Sequence, residues 1–439
     1  MKIDPWSSST YQDYTKLRDE FGIEEFKPEF LEKLPDTHKL FRRGVIIGHR
    51  DFGRIHRAIQ EEKKWTVLTG LMPSGRMHLG HKMVIDEVIY YQRLGAEIAI
   101  AVADIEAYAT RGYTLEETRE FALNEYIPNY IALGLKPDRC RIYFQSENQD
   151  VKDLGYLLGK KINWSQMQAT YGFEDSTNMT HIFSPLIQTG DILHVQLEKH
   201  DGVKPTLVPV GVDQDPHLRL CRDIAKAHRL FNVMETKDGK IGVFVKVDEN
   251  VEELLDAAEK TLQEIGYKEL KRITKYKAIY LKNASIKDVK WIDEKLAFLE
   301  RKQFESYGFI PPSATFHRFM TGLTGEKMSS SKPETAIFLS DSGGEVKEKI
   351  MQAKTGGAVS LQEHKKHGGR PDECVIYELF LYHLLEDDEK LAEIYKECTN
   401  GNQTCGMCKK KAVKLIQKFL QDLRKKREKA KKNVDRYLK

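Results

Sequence analysis

The side chains best suited to chemistry lie in one short turn at residues 72–81, MPSGRMHLGH. An apolar run at residues 66–70 precedes this turn and predicts a buried parallel strand. A helical pattern at residues 83–94, closed by a glycine, follows the turn. Because a helix N-terminus offers free N–H groups and positive potential to a phosphate, His78 and His81 could face one anionic group together. Two histidines in a turn are also often structural, so the turn alone leaves both roles open.

A second candidate segment is the loop at residues 324–333, TGEKMSSSKP. It is small, polar and basic, and it lies between apolar segments. Lys327 supplies a point charge and the serines supply several hydrogen-bond donors, a combination that suits a polyphosphate. Loops of this composition are common, so the segment needs support from the rest of the chain.

The elements that must position these side chains alternate between strand and helix from residue 65 to residue 227. Apolar runs at residues 97–103, 141–145 and 207–210 predict further strands, and a capping-box pattern at Thr114 predicts a helix that runs to residue 133. This alternation predicts an α/β fold with a Rossmann-like, doubly wound parallel sheet, in which ligands bind beyond the C-terminal strand ends. The polar residues predicted at these ends are His78, His81, Asp104, Glu106, Asp213 and Gln214.

The remaining segments predict additional domains. The predicted division is an N-terminal leader with helices at 1–64, a catalytic domain in two parts at 65–230 and 306–343, a small α+β insertion at 231–305, and an all-α domain at 344–439. In the last helix Leu415, Phe419 and Leu423 predict a buried side opposite many lysines and arginines. A one-sided basic face is typical of nucleic-acid binding.

Composition limits the class of protein. The chain has 439 residues, 40% of them hydrophobic and 31% charged, with a net charge of only +4. These values fit a globular protein. No apolar run approaches the roughly 20 residues of a membrane helix, and the first residues contain no apolar signal core. The six cysteines form no disulfide framework, so we expect a reducing, cytoplasmic location.

Three of the cysteines are clustered late in the chain. Cys398, Cys405 and Cys408 follow the pattern C-x6-C-x2-C. They could hold a structural Zn²⁺ ion with Cys374 or His383 as the fourth ligand. Reduced, buried thiols without a metal are the alternative interpretation.

The two candidate segments, read together, resemble a known pair. Residues 78–81 (HLGH) and 327–331 (KMSSS) resemble the paired signatures of class I aminoacyl-tRNA synthetases, in the order and on the α/β pattern of that class. Within the class, nearly the whole chain is similar to tryptophanyl-tRNA synthetases of the archaeal and eukaryotic type. Residues 4–6 resemble a eukaryotic leader that folds over the ATP site. Segment 231–304 and the clustered cysteines are not expected to have counterparts in the eukaryotic enzymes. Further matching stretches are residues 42–44, 49–51, 103–108, 172–173, 184–188, 211–216 and 222–223.

The resemblance implies a function and its participants. It implies that ATP, with Mg²⁺, activates L-tryptophan as tryptophanyl-adenylate, which is then transferred to tRNA(Trp). It further implies a homodimer, an anticodon-binding domain at 344–439 and no membrane association. Catalytic roles are implied for His78, His81 and Lys327. The implied ATP-binding residues are Pro73, Ser74, Gly75, His78, Gly80, His81, Gly211, Asp213, Lys327, Met328, Ser329, Ser330 and Ser331. The implied tryptophan-binding residues are Leu68, Glu106, Gln188, Asp191 and Gln214.

One departure from the family pattern concerns the indole N–H group. Eukaryotic relatives hold it with a tyrosine and a glutamine, where this chain has Leu68 and Ala101. Neither of these side chains can accept a hydrogen bond, and a buried indole N–H needs an acceptor. Asp191, three residues after Gln188 on the same helix face, is the predicted acceptor.

Other functions remain open at this point. Tyrosyl-tRNA synthetases share the fold and use an aspartate in a comparable place, but they carry tyrosines where this chain has Leu68 and Ser184. A synthetase-like protein that binds RNA without catalysis would keep the basic helix and lose the nucleotide signatures. A nucleotidyltransferase would use only the histidine pair. The presence of His78, His81 and Lys327 together argues against the last two.

Overall fold

The computed structural model describes residues 14–358 and 360–438, so the leader at residues 4–6 lies outside the described residues. The strands are β1 Ile46–Arg50, β2 Thr66–Leu71, β3 Glu97–Val102, β4 Cys140–Phe144, β5 Thr206–Gly211, β6 Phe231–Glu235, β7 Ile241–Val245, β8 Leu270–Ile273, β9 Ala278–Leu281 and β10 Ser313–His317. The helices of the first half are α1 Tyr14–Phe21, α2 Pro28–Glu32, α3 Lys39–Arg42, α4 Phe52–Gln60, α5 Leu79–Arg93, α6 Asp104–Arg111, α7 Leu115–Phe121, α8 Ile127–Leu133, α9 Gln149–Leu158, α10 Trp164–Tyr171 and α11 Met179–His194. Those of the second half are α12 Asp215–Ala227, α13 Val251–Glu264, α14 Val289–Gln303, α15 Gly343–Gln352, α16 Leu361–His367, α17 Val375–Leu379, α18 Asp388–Thr399 and α19 Cys405–Ala430.

A six-stranded sheet with the order β1-β10-β5-β2-β3-β4 forms the centre of the molecule. Its neighbours from β10 to β4 are parallel, and β1 is added antiparallel at one edge. The predicted α/β class with a doubly wound parallel sheet is confirmed. Strand β1 was not predicted, because its five residues are too few to show a strand pattern in the sequence. It forms by pairing with β10.

The sheet opens between β2 and β5. β2 pairs with β3 at six positions, from Thr66 to Leu71, but with β5 only through Thr66 and Val67. The two strands therefore separate towards their C-terminal ends. The chain also reverses direction here, because β3 and β4 are added on one side of β2, whereas β5 and β10 lie on the other. Such a switch point is where α/β sheets bind ligands.

Helix α5 begins four residues earlier than the periodicity predicts. His78 is its N-cap and Leu79 is its first, fully buried residue. The apolar pattern indicated a later start because Gly80 and His81 interrupt it. Both histidines are therefore part of the helix start, and their positions are set by its capping geometry.

The helix predicted from residue 114 to residue 133 has an interruption. Its capping box is confirmed, because the Thr114 hydroxyl accepts the Glu117 N–H at 3.1 Å and the Glu117 carboxylate accepts the Thr114 N–H at 2.8 Å. A π-helical turn, Ala122–Tyr126, separates α7 from α8. Pro128 lacks the N–H that a continuous α-helix would require there, and this explains the break.

Residues 231–303 form a separate four-stranded antiparallel sheet with the order β6-β7-β9-β8, covered by α13 and α14. Its apolar core includes Phe231, Ile241, Leu255 and Leu296. Two strands were predicted in this segment. The other two, β6 and β8, lie at the edges, where strands of five and four residues that mix apolar with polar residues give little strand signal.

The C-terminal segment is helical, as predicted, and α19 packs against α8 and α15. The buried stripe of α19 consists of Val413, Ile416, Leu420 and Leu423, whereas Leu415 and Phe419 are only partly buried. The buried side of α19 is therefore rotated about the helix axis relative to the predicted side. Among the residues that the structure describes, no helix is long and apolar enough to cross a membrane.

Candidate active site

The two histidines of the turn are held by the backbone of the helix start. The His78 Nδ1 accepts the Gly80 N–H at 3.1 Å, and the His81 Nδ1 accepts the His78 N–H at 3.2 Å. Their rings stack with centroids 3.8 Å apart. Because each Nδ1 is an acceptor, a neutral ring carries its proton on Nε2. The geometry thus makes both Nε2 atoms hydrogen-bond donors.

Both rings stay neutral near pH 7. Burial, the other histidine and the Lys327 charge lower the pKa of His78 well below its usual value. Burial and then Lys327 lower the pKa of His81 to about 4. Neutral donors suit phosphate oxygens, since they stabilise charge without losing their own proton.

The lysine loop lies against this turn. Leu79 donates its N–H to the Ile337 carbonyl at 3.1 Å, and Leu339 donates to the Met77 carbonyl at 2.8 Å. The Ser330 hydroxyl also donates to the Arg76 carbonyl at 3.2 Å. These bonds join segments about 250 residues apart, so the two signatures form one site.

Lys327 reaches the end of β5. Its ammonium lies 3.2 Å from the Asp213 carboxylate and 4.1 Å from the centroid of the Phe319 ring. A Cβ at Gly211 would come within 2.7 Å of Asp213 and 3.0 Å of Phe319, so only glycine allows this approach. The acidic strand end and the lysine loop are therefore in contact across the opening of the sheet.

The backbone of the turn before the histidines favours glycine at one position. Gly75 has φ of +108°, in the region that favours glycine. Pro73 is buried, whereas Ser74, Gly75 and Gly80 are half-buried along the same turn. In the lysine loop, Met328 is buried and anchors the segment, while Ser329 and Ser331 hydrogen-bond to each other at 2.9 Å.

A second group of polar side chains surrounds Asp191 on α11. Asp191 is 2% exposed. It accepts the Tyr143 hydroxyl at 2.9 Å and a hydrogen bond from the Gln145 amide nitrogen. That bond orients the Gln145 amide, whose oxygen is buried and has no hydrogen-bond partner among the described residues. This buried group therefore contains one acceptor oxygen without a partner, that of Gln145.

Burial raises the pKa of Asp191 to about 7. The Gln145 and Tyr143 hydrogen bonds oppose this shift, and the charges of Glu106 and Asp104 add to it. A carboxyl that titrates near neutrality inside a crevice is a common feature of ligand sites.

The remaining predicted residues fall near this group. Leu68 is buried on β2, and its strand neighbour Gly70 has open space where a Cβ would lie. Gln188 is half-buried on α11, one turn before Asp191, and Gln214 is half-buried after β5. Glu106, on α6, acts electrostatically on Asp191.

Sequence reasoning missed Tyr143 and Gln145. Tyr143 lies near the end of β4 and Gln145 directly follows the strand, so the strand-end rule that selected Asp104 would also have selected Gln145. Asp104 itself has a structural role, because its carboxylate accepts the Ile105 N–H at 3.0 Å and the Ser146 N–H at 3.1 Å.

Comparison with known proteins gives a consistent result. The family model of class I tRNA synthetases (W and Y) matches residues 60–247 and 295–421. A tryptophan–tRNA ligase of Methanocaldococcus jannaschii is 45% identical and covers 98% of this chain and 96% of its own length. One of Thermoplasma acidophilum is 44% identical and covers 99% of both. The crystal structure of tryptophanyl-tRNA synthetase from Aeropyrum pernix K1 is 33% identical, with a TM-score of 0.75 over 100% of this chain and 99% of that one.

The family match is interrupted at residues 248–294, which lie inside the predicted insertion at 231–305. A tryptophanyl-tRNA synthetase structure from Encephalitozoon cuniculi covers 98% of this chain with a TM-score of 0.73, and its 22% identity shows the fold alone. The expectation that segment 231–304 has no counterpart in the eukaryotic enzymes stays a prediction.

We expect Asp191→Asn to change how the free energy of unfolding depends on pH. The pKa of about 7 in the native state lies above the ordinary value of 3.8. Between these two pH values the native wild type binds a proton that the unfolded chain has lost, so its stability falls as the pH rises. The variant has no such proton. From about pH 4.5 to about pH 7.5, the free energy of unfolding of the wild type should therefore fall by roughly 1 kcal/mol or more relative to that of the variant. Denaturant unfolding at the two pH values measures this difference.

The exposed Asp153→Asn variant on α9 is the matched control and should follow the wild-type profile. Parallel pH profiles for wild type and Asp191→Asn would show that Asp191 does not titrate in this way.

Proposed function

This chain belongs to the class I tRNA synthetases of the tryptophan and tyrosine group, and we propose that it is a tryptophan–tRNA ligase that forms AMP and diphosphate. The observation that carries this proposal is the contact of Lys327 with Asp213 beside two neutral histidines, at the switch point of the sheet. The curated relatives of M. jannaschii and T. acidophilum, which align over nearly the whole chain, carry the same name. Relatives at this identity favour tryptophan over tyrosine as the substrate.

The reaction has two steps. In the first, a carboxylate oxygen of tryptophan attacks the α-phosphorus of ATP, and the bond to the pyrophosphate oxygen breaks. In the second, a hydroxyl of the terminal tRNA ribose, the 2′-hydroxyl in this class, attacks the acyl carbon and AMP leaves. Neither step needs a protein nucleophile, so the chain acts by positioning and by stabilising charge on phosphate oxygens.

The histidines and the lysine stabilise charge on different phosphate groups. The Nε2–H groups of His78 and His81 donate to oxygens of the α-phosphate. Lys327 exchanges its contact with Asp213 for the departing pyrophosphate, and Asp213 is then free to accept a ribose hydroxyl. Because both rings have lowered pKa values, they remain neutral donors across the physiological pH range.

The rest of the proposed nucleotide site lies along the histidine turn and the lysine loop. Its donors are N–H groups, hydroxyls and a lysine, which fit phosphate oxygens better than a divalent cation, so Mg²⁺ enters with the triphosphate. When bound, Mg²⁺ neutralises phosphate charge. The proposed ATP-binding residues are Pro73, Ser74, Gly75, His78, Gly80, His81, Gly211, Asp213, Lys327, Met328, Ser329, Ser330 and Ser331.

The tryptophan side chain enters the space above Gly70, towards Asp191. Asp191 and the free oxygen of Gln145 supply acceptors for the indole N–H. Glu106, Gln188 and Gln214 serve the α-amino group, and Leu68 forms an apolar wall.

An unchanged KM for tryptophan in Asp191→Ala would contradict the role of Asp191.

The helical segment 344–439 is the proposed anticodon-binding domain, within the five-part division of the chain given above. Helix α19 spans 26 residues and exposes lysines along one side, which suits contact with RNA phosphates. Some of its basic residues serve packing, because Arg427 forms an ion pair with Glu125 on the catalytic domain. The reaction takes place in the cytoplasm in this proposal.

A second copy of the chain is the proposed occupant of an apolar groove between α9, α10 and α11. The groove measures about 560 Å³ and includes Leu157, Trp164, Phe183 and Leu186 in its lining. Leu157 is 50% exposed and the neighbouring Tyr156 is 75% exposed. Apolar patches of this kind mark interfaces. Because α11 also carries Asp191, dimer formation would support the tryptophan pocket.

We expect Lys327→Ala to keep tryptophan binding and to lose adenylate formation. Loss of one such charge-stabilising donor costs roughly 10²–10³ in rate. ATP–pyrophosphate exchange measures the first step, and fluorescence titration measures tryptophan binding. Lys332→Ala, in the same loop but paired with Glu326, is the control and should keep the exchange activity. Near-normal exchange in Lys327→Ala would overturn the assignment.

We expect Leu157→Glu to weaken the dimer, because a charge would be buried in the apolar interface. Loss of one buried leucine alone corresponds to about 1.5–3 kcal/mol, or roughly tenfold or more in the dissociation constant. Sedimentation velocity over a concentration series measures the effect. Phe298→Glu, 47% exposed on α14, is the matched control and should leave the dimer intact. A wild-type protein that is monomeric at every concentration would contradict the proposal.

A further inference from the structure

A cavity that the proposed reaction does not use lies between helix α19 and the segment that follows the lysine loop. It measures about 230 Å³. Arg424 joins its two walls, because the guanidinium donates to the Asp341 carbonyl at 3.3 Å. The residues that line the cavity are Leu339, Ser340, Arg424, Arg427, Glu428 and Lys431. The cavity therefore lies where the C-terminal domain meets the catalytic domain.

Positive charge dominates the lining of this cavity. Arg424, Arg427 and Lys431 follow one another at intervals of three and four residues, so they lie on one side of the helix. Of the described lining residues only Glu428 is acidic, and its ion pair with Lys431, 2.8 Å long, offsets its charge. The Nε atom of Arg427 is buried and has no hydrogen-bond partner among the described residues. An unpaired buried donor in a cationic cavity calls for an anionic ligand.

Both walls of the cavity are connected to the backbone of Met77. From one wall, Leu339 donates its N–H to the Met77 carbonyl at 2.8 Å. From the other wall, Arg427 forms an ion pair with Glu125, whose carboxylate accepts the Met77 N–H at 3.3 Å. Met77 directly precedes His78, the N-cap of α5. The cavity is therefore linked through two routes to the histidine turn (residues 72–81).

The route from α19 is shielded from solvent. The side chains of Arg427 and Glu125 are 17% and 13% exposed, and Arg427 also donates to the Asn124 carbonyl at 2.9 Å. Glu125 belongs to the π-helical turn Ala122–Tyr126, and such turns are common at functional sites. Breaking a shielded ion pair costs more than breaking one at the surface, so we expect Arg427 and Glu125 to move together.

The surroundings of the cavity fit an RNA backbone better than a free anion. Exposed lysines continue the positive charge along the end of α19 and just beyond it, at Lys425, Lys426, Lys429 and Lys432. This basic surface is larger than one phosphate group needs, and it suits an extended polyanion whose binding releases counterions. Arginine side chains add planar, two-point recognition of phosphate oxygens. The chemistry therefore favours a phosphodiester group of an RNA chain.

We propose that this cavity binds a backbone phosphate of the RNA substrate and thereby strengthens ATP binding at the histidine turn. The inference rests on the proposed ligase function, which supplies both the RNA and the ATP. The phosphate accepts hydrogen bonds from Arg424, Arg427 and Lys431 on one wall and from the Ser340 hydroxyl on the other.

A phosphate bound between the two walls holds both connections to Met77 in place. The helix start that presents His78 and His81 is then fixed before ATP arrives, so less ordering remains for the nucleotide to impose. By thermodynamic linkage, ATP must strengthen RNA binding by the same factor as RNA strengthens ATP binding. That factor is the quantity that an experiment can measure.

The test uses the full-length chain and a fluorescently labelled tRNA(Trp) transcript. Fluorescence anisotropy gives the dissociation constant of the transcript with and without Mg·ATP, in the absence of tryptophan. We expect ATP to tighten the wild-type complex by roughly fivefold or more. In the double variant Arg424→Gln/Lys431→Gln the ATP effect should disappear, and RNA binding should weaken by roughly tenfold or more, because charged donors to phosphate are lost.

Two further variants separate the cavity from the rest of the helix. Lys418→Gln/Lys425→Gln is the matched control, because it removes two charges with the same spacing from α19, outside the cavity lining. It should keep the wild-type ATP effect. Glu125→Gln removes the ion pair with Arg427 and leaves the cavity lining unchanged. It should bind RNA normally without ATP and lose the ATP effect.

The proposal is overturned if ATP leaves the RNA affinity of the wild type unchanged. It is also overturned if the cavity double variant or Glu125→Gln keeps the wild-type ATP effect, or if the matched control loses it. Titration with inorganic phosphate at constant ionic strength tests a free anion as the source of the phosphate group. Phosphate binding that the cavity variant loses, while its RNA affinity stays normal, would assign the cavity to a free anion and contradict the RNA proposal.

ATP–pyrophosphate exchange without RNA separates this inference from the proposed function. The cavity double variant should keep wild-type exchange, because none of its changed residues lies in the proposed catalytic site. Loss of the ATP effect on RNA binding with normal exchange in the wild type would contradict this inference alone. Absence of exchange in the wild type would contradict the proposed function.

Discussion

The active site depends on two backbone hydrogen bonds between distant segments. They join Met77 and Leu79 to Leu339 and Ile337, across the opening where β2 and β5 separate. Without them the histidine turn would be an isolated helix start and the lysine loop a mobile surface segment. With them, Lys327 is brought to Asp213, and the proposed phosphate-binding donors of the two segments lie together.

The charge state of the histidines follows from burial and from the same contact. Burial and the nearby lysine disfavour protonation of both imidazoles, so His78 and His81 stay neutral, and in the proposed mechanism they donate to phosphate oxygens while Lys327 contacts pyrophosphate. On the other side of the crevice, burial raises the pKa of Asp191. In the proposed site, these two environments would separate a phosphate subsite from a subsite for an uncharged side chain.

Much of this arrangement could be predicted from the sequence, because strand ends, helix caps and signature spacings are local. The parallel sheet and the contact between the histidine turn and the lysine loop fall in this class. What local patterns could not give was β1, which needs β10 as a partner, and the π-helical turn before Pro128. Tyr143 and Gln145 were also missed, since their role exists only where β4 passes Asp191.

In the proposed function, the crevice between the histidine turn, the lysine loop and Asp191 activates tryptophan. ATP–pyrophosphate exchange by the wild-type protein without tRNA, with tryptophan and tyrosine compared at matched concentrations, tests it most directly. We expect exchange with tryptophan and a kcat/KM for tyrosine lower by about 10⁴-fold or more, because Leu68 and Ser184 replace the tyrosines that tyrosyl-tRNA synthetases carry at these positions. Equal or faster exchange with tyrosine, or none with either amino acid, would contradict it.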